Sequence, residues 1–352
     1  MLSLRLSLLS NKLFKHRYIR RNSAQLQNLI GFVYFHTSNT SMGGGGRSNA
    51  WLQARLAKLA RSFLKRFGTT YVRLRLLLGF IDIPQLTIVL TTKCTLRCEG
   101  CSNLMQYFTP SDHFTTDLNS IQNDIERLLQ GVSSISSIHI IGGETLLFKQ
   151  LPELMHFLAS KKQIKALELI TNATIPFSQK LLDSLAYKKT RVIISDYSAN
   201  PELAKTLRQE QILQALREHN IKHIFYHQNS LWRDMGRIYK RNRTDDENKR
   251  SFLACDIPCV TFIGADSSDK AQKGGIFVCS LASSLAKLRS QAEFAGDFVS
   301  LDSSTLSSDI LRFYAQDFFK SCDYCPNKWE HSDGIPVALQ TKETLTLSPP
   351  VS

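Results

Sequence analysis

The stretch that decides the fold is LTIVLTTKCTLRCEGC, residues 86–101. Its opening, Leu86–Leu90, is short, aliphatic and β-branched without a single charge, the composition of a strand. A polar turn follows at once, Thr91-Thr92-Lys93, and then Cys94, Cys98 and Cys101 at the spacing C-x3-C-x2-C. A strand that runs straight into a loop of reactive side chains is an α/β arrangement, because such folds gather their chemistry at the carboxyl ends of strands.

The same pattern recurs outward along the chain. Ile138–Ile141, Leu167–Ile170, Val192–Ser195 and His223–Tyr226 are short, β-rich and bounded by polar or turn residues. Between them apolar residues return at helical spacing: Ile121, Ile125, Leu128 and Leu129; Leu151, Leu154, Met155 and Leu158; Leu207, Ile212, Leu213 and Leu216. Strand and helix in alternation predict a parallel sheet with helices outside it, open or closed into a partial barrel. Polar groups stand where such a fold would use them: Gly142-Gly143-Glu144, Thr171-Asn172 and Ser195-Asp196 each end a strand.

Zinc usually takes four protein ligands, whereas closely spaced cysteines hold iron–sulfur cubanes. Three thiolates in one loop leave one iron of a cubane open to chelation by a small molecule. The loop resembles the signature of the radical S-adenosylmethionine (SAM) superfamily, and Gly142-Gly143-Glu144 resembles that family's GGE motif. The resemblance implies a partial (β/α)6 parallel barrel and a [4Fe–4S] cluster on Cys94, Cys98 and Cys101. It also implies SAM bound through Gly142, Gly143 and Glu144 at its methionyl ammonium, with Asn172 and Ser195 lining the ribose and methionyl pocket. One position departs from the pattern: the family usually has an aromatic residue before the third cysteine, near the adenine, and here that place is Gly100.

The last third of the chain loses the alternation and carries Cys255, Cys259, Cys279, Cys322 and Cys325. Its layout resembles the SPASM or twitch regions of many radical SAM enzymes. That implies a small C-terminal cysteine-rich auxiliary domain with a second cluster on Cys279, Cys322 and Cys325, the fourth ligand coming from Cys259 or Cys255. A tetrahedral zinc site is the alternative for these thiolates. Trp232–Arg237, between the two regions, are candidates for a substrate mouth or for interdomain packing.

Charge is distributed unevenly. Of the 44 Lys and Arg, 14 lie in residues 1–81, which contain no acidic residue, leaving 30 basic against 30 acidic side chains in the rest. A neutral body excludes a broad phosphate-tracking groove, so no nucleic-acid partner is expected. Residues 1–50 end in a glycine run and are expected to be a disordered basic leader, either a presequence or a stretch preceding a true start at Met42. Residues 51–81 read as a basic amphipathic helix packed on the barrel, with weak membrane-surface contact as the other reading. The expected division continues with a core over 82–249, an auxiliary cluster-binding region over 250–335 and a tail over 336–352. The chain has no run of apolar residues long enough to span a bilayer, and it is expected in the cytoplasm. The resemblance implies an enzyme that cleaves SAM and takes hydrogen from a peptide, protein, sugar or other small molecule, with flavodoxin or ferredoxin as electron donor. The reading from another class is a non-catalytic zinc or iron–sulfur module for redox sensing or partner binding.

Overall fold

A computed structural model describes residues 1–34, 47–227, 231–232, 235–255, 260–263, 274–326 and 334–347. The strands are β1 (Leu86–Val89), β2 (Ile138–Ile141), β3 (Leu167–Thr171), β4 (Thr190–Asp196), β5 (His223–His227), β6 (Val260–Ile263), β7 (Gly275–Phe277) and β8 (Phe298–Ser300). Among the described residues they form one sheet in the order β8-β7-β6-β1-β2-β3-β4-β5. Strands β6, β1, β2, β3, β4 and β5 are parallel, and β7 is antiparallel to both its neighbours. The sheet is open, with β8 and β5 as its edges.

Two expectations about the carboxyl-terminal part change here. The sixth parallel strand, β6, lies beyond residue 249, with Leu86 opposite Val260. Its backbone satisfies the edge of β1 that β2 leaves unpaired. The cysteine-rich region then continues the same sheet through β7 and β8 and is not a separate small domain.

The helices are α1 (Leu2–Leu8), α2 (Arg21–Tyr34), α3 (Arg47–Leu77), α4 (Leu118–Gly131), α5 (Leu151–Ser160), α6 (Gln179–Ser184), α7 (Gln209–Glu218), α8 (Asp245–Leu253), α9 (Ser280–Leu288) and α10 (Leu306–Phe313). Local chemistry starts them. The Asp117 carboxylate accepts from Ser120 N at the head of α4, and Thr244 with Glu247 closes a capping box on α8. The apolar positions read from the sequence are buried on α4 and α5, as are Ile212 and Leu216 of α7. Strand alternation supplies the other half of the core: Ile138 and Ile140, Leu167 and Leu169, Val192 and Ile194 are wholly buried on one face. The opposite face carries His139, Glu168 and Arg191 side by side at the amino ends of β2, β3 and β4.

The amino-terminal residues depart most from expectation. Residues 1–34 are helical, including a π-helical turn at Lys15–Arg20, and they enter the main core. Phe14 stacks on Tyr18 at 4.8 Å, and Tyr18 meets Tyr314 edge-on at 5.3 Å, with Phe14 and Tyr18 almost wholly buried. Apolar residues among the basic ones explain this: a composition that looked like a leader holds enough aromatic surface to bury. Asp82, the first acidic residue of the chain, ties the segment down. Its carboxylate takes two hydrogen bonds of 2.7 Å from Arg75, its amide donates to Tyr18 Oη at 2.9 Å, and its carbonyl accepts from Asn22 at 3.0 Å.

Helix α2 lies across the amino ends of the strands. Gln25 Nε2 donates to Gln85 Oε1 ahead of β1 at 3.2 Å, and the Phe32 ring lies beneath Arg191 of β4 and Lys222 ahead of β5. That end of the sheet is thereby covered, and the carboxyl ends remain for the site.

Candidate active site

Strand β1 delivers the cysteine loop and β2 delivers the turn that holds it. Gly143 N donates to Thr91 O at 2.7 Å and Glu144 N to Lys93 O at 2.9 Å. The approach is close enough that a Cβ on Gly143 would stand 2.3 Å from Lys93 O and 2.8 Å from Cys94 Cβ, so glycine is required there. Glu144 is buried, and its Oε1 accepts from Leu146 N at 3.1 Å and Thr171 Oγ1 at 2.8 Å, while Oε2 accepts from Asn172 N at 2.8 Å. Burial raises its carboxyl above the usual range. The carboxylate thus joins the ends of β2 and β3, and Asn172 Nδ2 extends the link to Thr95 Oγ1 at 3.1 Å and Cys94 Sγ at 3.7 Å.

The loop's other partner comes from the far end of the sequence. Residues 336–347, expected to be a tail, are ordered against it; residues 348–352 lie outside the described residues. Glu99 N donates to Leu339 O at 2.7 Å, Thr341 N to Arg97 O at 2.8 Å, and Arg97 N to Gln340 Oε1 at 2.8 Å. Gln340 Nε2 reaches Cys98 Sγ at 3.2 Å. The two-residue strand Ile335–Pro336 pairs with Leu231–Trp232 above Gly100. A Cβ on Gly100 would meet Ile335 Cδ1 at 2.5 Å and Trp232 Cε3 at 3.6 Å, so the space beside the third cysteine is filled from elsewhere in the chain.

The sulfurs suit a cationic cluster. Burial pushes the thiols of Cys94 and Cys98 up to about 12 and raises that of Cys101 as well. Thiols held that high stay protonated until a metal replaces the proton. Yet each sulfur faces N–H donors, as thiolate charge requires: Leu96 N for Cys94 at 3.4 Å, Gln340 Nε2 for Cys98, and the amides of Asn103, Leu104 and Met105 for Cys101. Among the described residues no three Cys, His or carboxylate side chains converge on a single metal ion. A cubane has no such need, because each thiolate takes its own iron.

One cavity of about 490 Å3 joins the groups that the sequence singles out. Its wall includes Cys94, Cys98 and Cys101, the Gly142–Glu144 turn, Asn172 and Ser195, and also Cys255, Cys279, Cys322 and Cys325. Cys259 lies outside the described residues, as do Arg233 and Asp234 of the expected substrate mouth. Trp232 and Met235 do line the cavity, and Trp232 meets Tyr197 edge-on at 5.4 Å. The C-x2-C turn is clamped by Arg243, whose Nη1 donates to Cys322 O at 3.1 Å and Cys325 O at 2.9 Å. Burial pushes Cys322 up to about 12, with the neighbouring Cys325 adding to it.

Sequence reasoning missed Arg17, Tyr197 and Gln340. Arg17, from the π-helical turn, is buried with its guanidinium 3.4 Å over the Phe252 ring, donates to Phe252 O at 3.0 Å and reaches the Cys255 thiol. Tyr197 packs with Leu96, Cys94 and Cys98, and its hydroxyl pairs with Ser195. Its phenol is raised by burial and then by the neighbouring Cys98. Tyr197 follows Ser195 in a strand-end motif and was within reach of pattern reading; Arg17 and Gln340 carry no local signal.

Comparison with known proteins bears on the same residues. Residues 88–255 match the family model described as Radical SAM superfamily. No curated protein matches the chain. Among solved structures the chain is similar to Streptococcus suis SuiB bound to precursor peptide SuiA, at 16% identity and a TM-score of 0.34, over 54% of this chain and 42% of that one. It is similar to SuiB bound to S-adenosylmethionine at 16% identity and 0.31, over 72% and 51%. A hexahistidine-tagged anSMEcpe with bound AdoMet gives 13% identity and 0.40, over 76% and 93%. The chain thus spans about half the length of the SuiB chains it matches. Scores this low carry no argument about substrate; the family match does not depend on them. The cysteine loop and the Gly-Gly-Glu turn both lie inside the span, residues 88–255, that matches the radical SAM superfamily model.

Proposed function

We propose that this protein is a radical SAM enzyme that cleaves SAM reductively and takes hydrogen from a substrate. The observation that carries the reading is the convergence of Cys94, Cys98 and Cys101 with Gly142, Gly143, Glu144, Asn172 and Ser195 on one cavity at the carboxyl ends of parallel strands. When bound, the [4Fe–4S] cluster supplies the electron that splits SAM into methionine and a 5′-deoxyadenosyl radical. Everything else falls to the chain. Cys94, Cys98 and Cys101 hold the cluster, and the donors around them stabilise its charge. Glu144 accepts from Leu146, Thr171 and Asn172 and so holds the two strand ends in place, and its remaining lone pair on Oε2, with the Gly142–Gly143 backbone carbonyls, receives the ammonium of SAM. Asn172 and Ser195 orient the ribose and methionyl groups. Ile335, with Trp232 beyond it, takes the space beside Gly100, and Trp232, Tyr197 and Met235 wall the cavity against water.

Cys279, Cys322 and Cys325 hold a second, auxiliary cluster with Cys255 or Cys259. The substrate is read as a peptide or a sugar-like small molecule, the electron donor as a flavodoxin or ferredoxin, and the setting as the cytoplasm.

The test is anaerobic reconstitution followed by iron and sulfide analysis, EPR of the reduced protein with and without SAM, and assay of 5′-deoxyadenosine. About eight irons are expected, falling to about four in Cys94→Ala together with loss of the SAM-dependent signal. Zinc in place of iron, or cluster-replete protein that leaves SAM intact, overturns the reading in favour of a metal-stapled binding module.

A further inference from the structure

Helix α3 is turned the unexpected way round. Its small residues are buried: Ala57, Gly68 and Val72 face inward, and a Cβ on Gly68 would stand 2.4 Å from Ser23 Oγ of α2. So close a contact fixes the rotation of α3, as the paired Arg75 and Asp82 fix its end. Of the large apolar residues Leu76 is buried with them, and most of the others are left outside. Leu56, Leu59, Phe63, Phe67, Tyr71, Leu74 and Leu78 are between 44% and 68% exposed. At about 100° per residue these seven share roughly a third of the helix circumference, and from Leu56 to Leu78 they run for about 33 Å. Leu2 and Leu6 of α1 and Phe80, all exposed, lie near the carboxyl end of this stripe, where Arg5 Nη2 reaches Gly79 O at 3.5 Å.

Charge selects what the stripe meets. Residues 47–77 carry eight Lys and Arg and no acidic residue. Arg55, Arg66 and Arg73 fall about a quarter-turn to one side of the apolar stripe, all exposed. A second copy of this helix would set cation against cation with no carboxylate to answer it. An anionic lipid surface answers both features, taking the apolar residues at the headgroup boundary and the cations at the phosphates.

We infer that α3 docks the protein on an anionic lipid bilayer, lying flat in the interface with Leu56–Leu78 inserted. Docking is independent of the SAM chemistry proposed above. Because α3 rests on α2, and α2 covers the amino ends of the strands, the carboxyl ends with the cysteine loop remain open.

The test is flotation of the full-length protein with vesicles of phosphatidylcholine alone or with roughly a third phosphatidylglycerol, together with its oligomeric state in solution. Wild type is expected to float with the anionic vesicles, to bind neutral ones at least about tenfold more weakly, and to release at high salt. Replacing Leu59, Phe63 and Phe67 together by Asn abolishes flotation. The triple change Arg55→Gln, Arg66→Gln and Arg73→Gln weakens it by about a hundredfold, at about fivefold per cation. All six positions are exposed, so circular dichroism and iron content should match wild type. Wild type that stays in the soluble fraction at low salt overturns the proposal. So does an Asn triple variant that floats as well as wild type, which would leave charge alone at work. A wild-type dimer that ignores vesicles and becomes monomeric in the Asn variant would assign the stripe to a second copy instead.

Discussion

Gly143 shows how one side chain decides whether the site can form. The atoms its Cβ would meet, Lys93 O and the Lys93 carbonyl carbon at 2.6 Å, are backbone and cannot swing aside. Gly143→Ala should therefore cost about 2–3 kcal/mol, as overpacking does, and reconstituted protein should lose most of its N-terminal-site iron; normal iron content would refute the close approach. Gln340 acts more gently. In Gln340→Leu, Cys98 loses an N–H donor, and donors to cluster sulfurs raise the reduction potential. The potential should fall in an EPR-monitored titration, and an unchanged value would mean that the contact has no electronic weight. The cysteine triple was legible in the sequence because the ligands of one loop must be neighbours in the chain. Gln340 was not, because nothing local marks a glutamine that works 242 residues away from its partner.

At the scale of elements, periodicity located what the core buries but not the way each helix faces. The strands and the helices α4 and α5 were readable because large aliphatic residues mark their buried side. For α3 the same rule misleads, since helix packing at close range selects the smallest residues for the contact. The polar face of the sheet was equally hidden. Glu168 is buried between His139, 3.0 Å away, and Arg191, with which it pairs. Burial alone would lift its carboxyl, but the two partners outweigh that and hold it below the usual range. A depressed folded value contributes stability that is complete above the unfolded pKa and is lost as pH falls through the folded one. Glu168→Gln should accordingly lower Tm at neutral pH. The gap from wild type should narrow below about pH 4; a gap that widens on acidification would contradict the pairing.

The molecule as a whole is held together by its ends. Residues 1–34 close the amino face of the sheet and bring Arg17 to Cys255, while residues 334–341 lie across the cysteine loop. Composition suggested that both ends lay outside the fold, because short segments without long runs of regular structure look dispensable until their tertiary partners are known. A chain stopped after residue 333 should keep its helical far-UV circular dichroism yet fail to retain a cluster on Cys94, Cys98 and Cys101. Cluster retention by that chain would show the covering segment to be ornamental. The segment also sets an order in time. Arg97 finds its acceptor 243 residues downstream, so during translation the cysteines emerge long before the backbone that shields them. Until Gln340 has been made, the nascent loop is an open thiol trap for stray metal and oxidant. A chain that ends between Pro326 and Gln340 therefore keeps the whole sheet and its helices but stays unloaded, and the missing cofactor is what distinguishes it from the finished product.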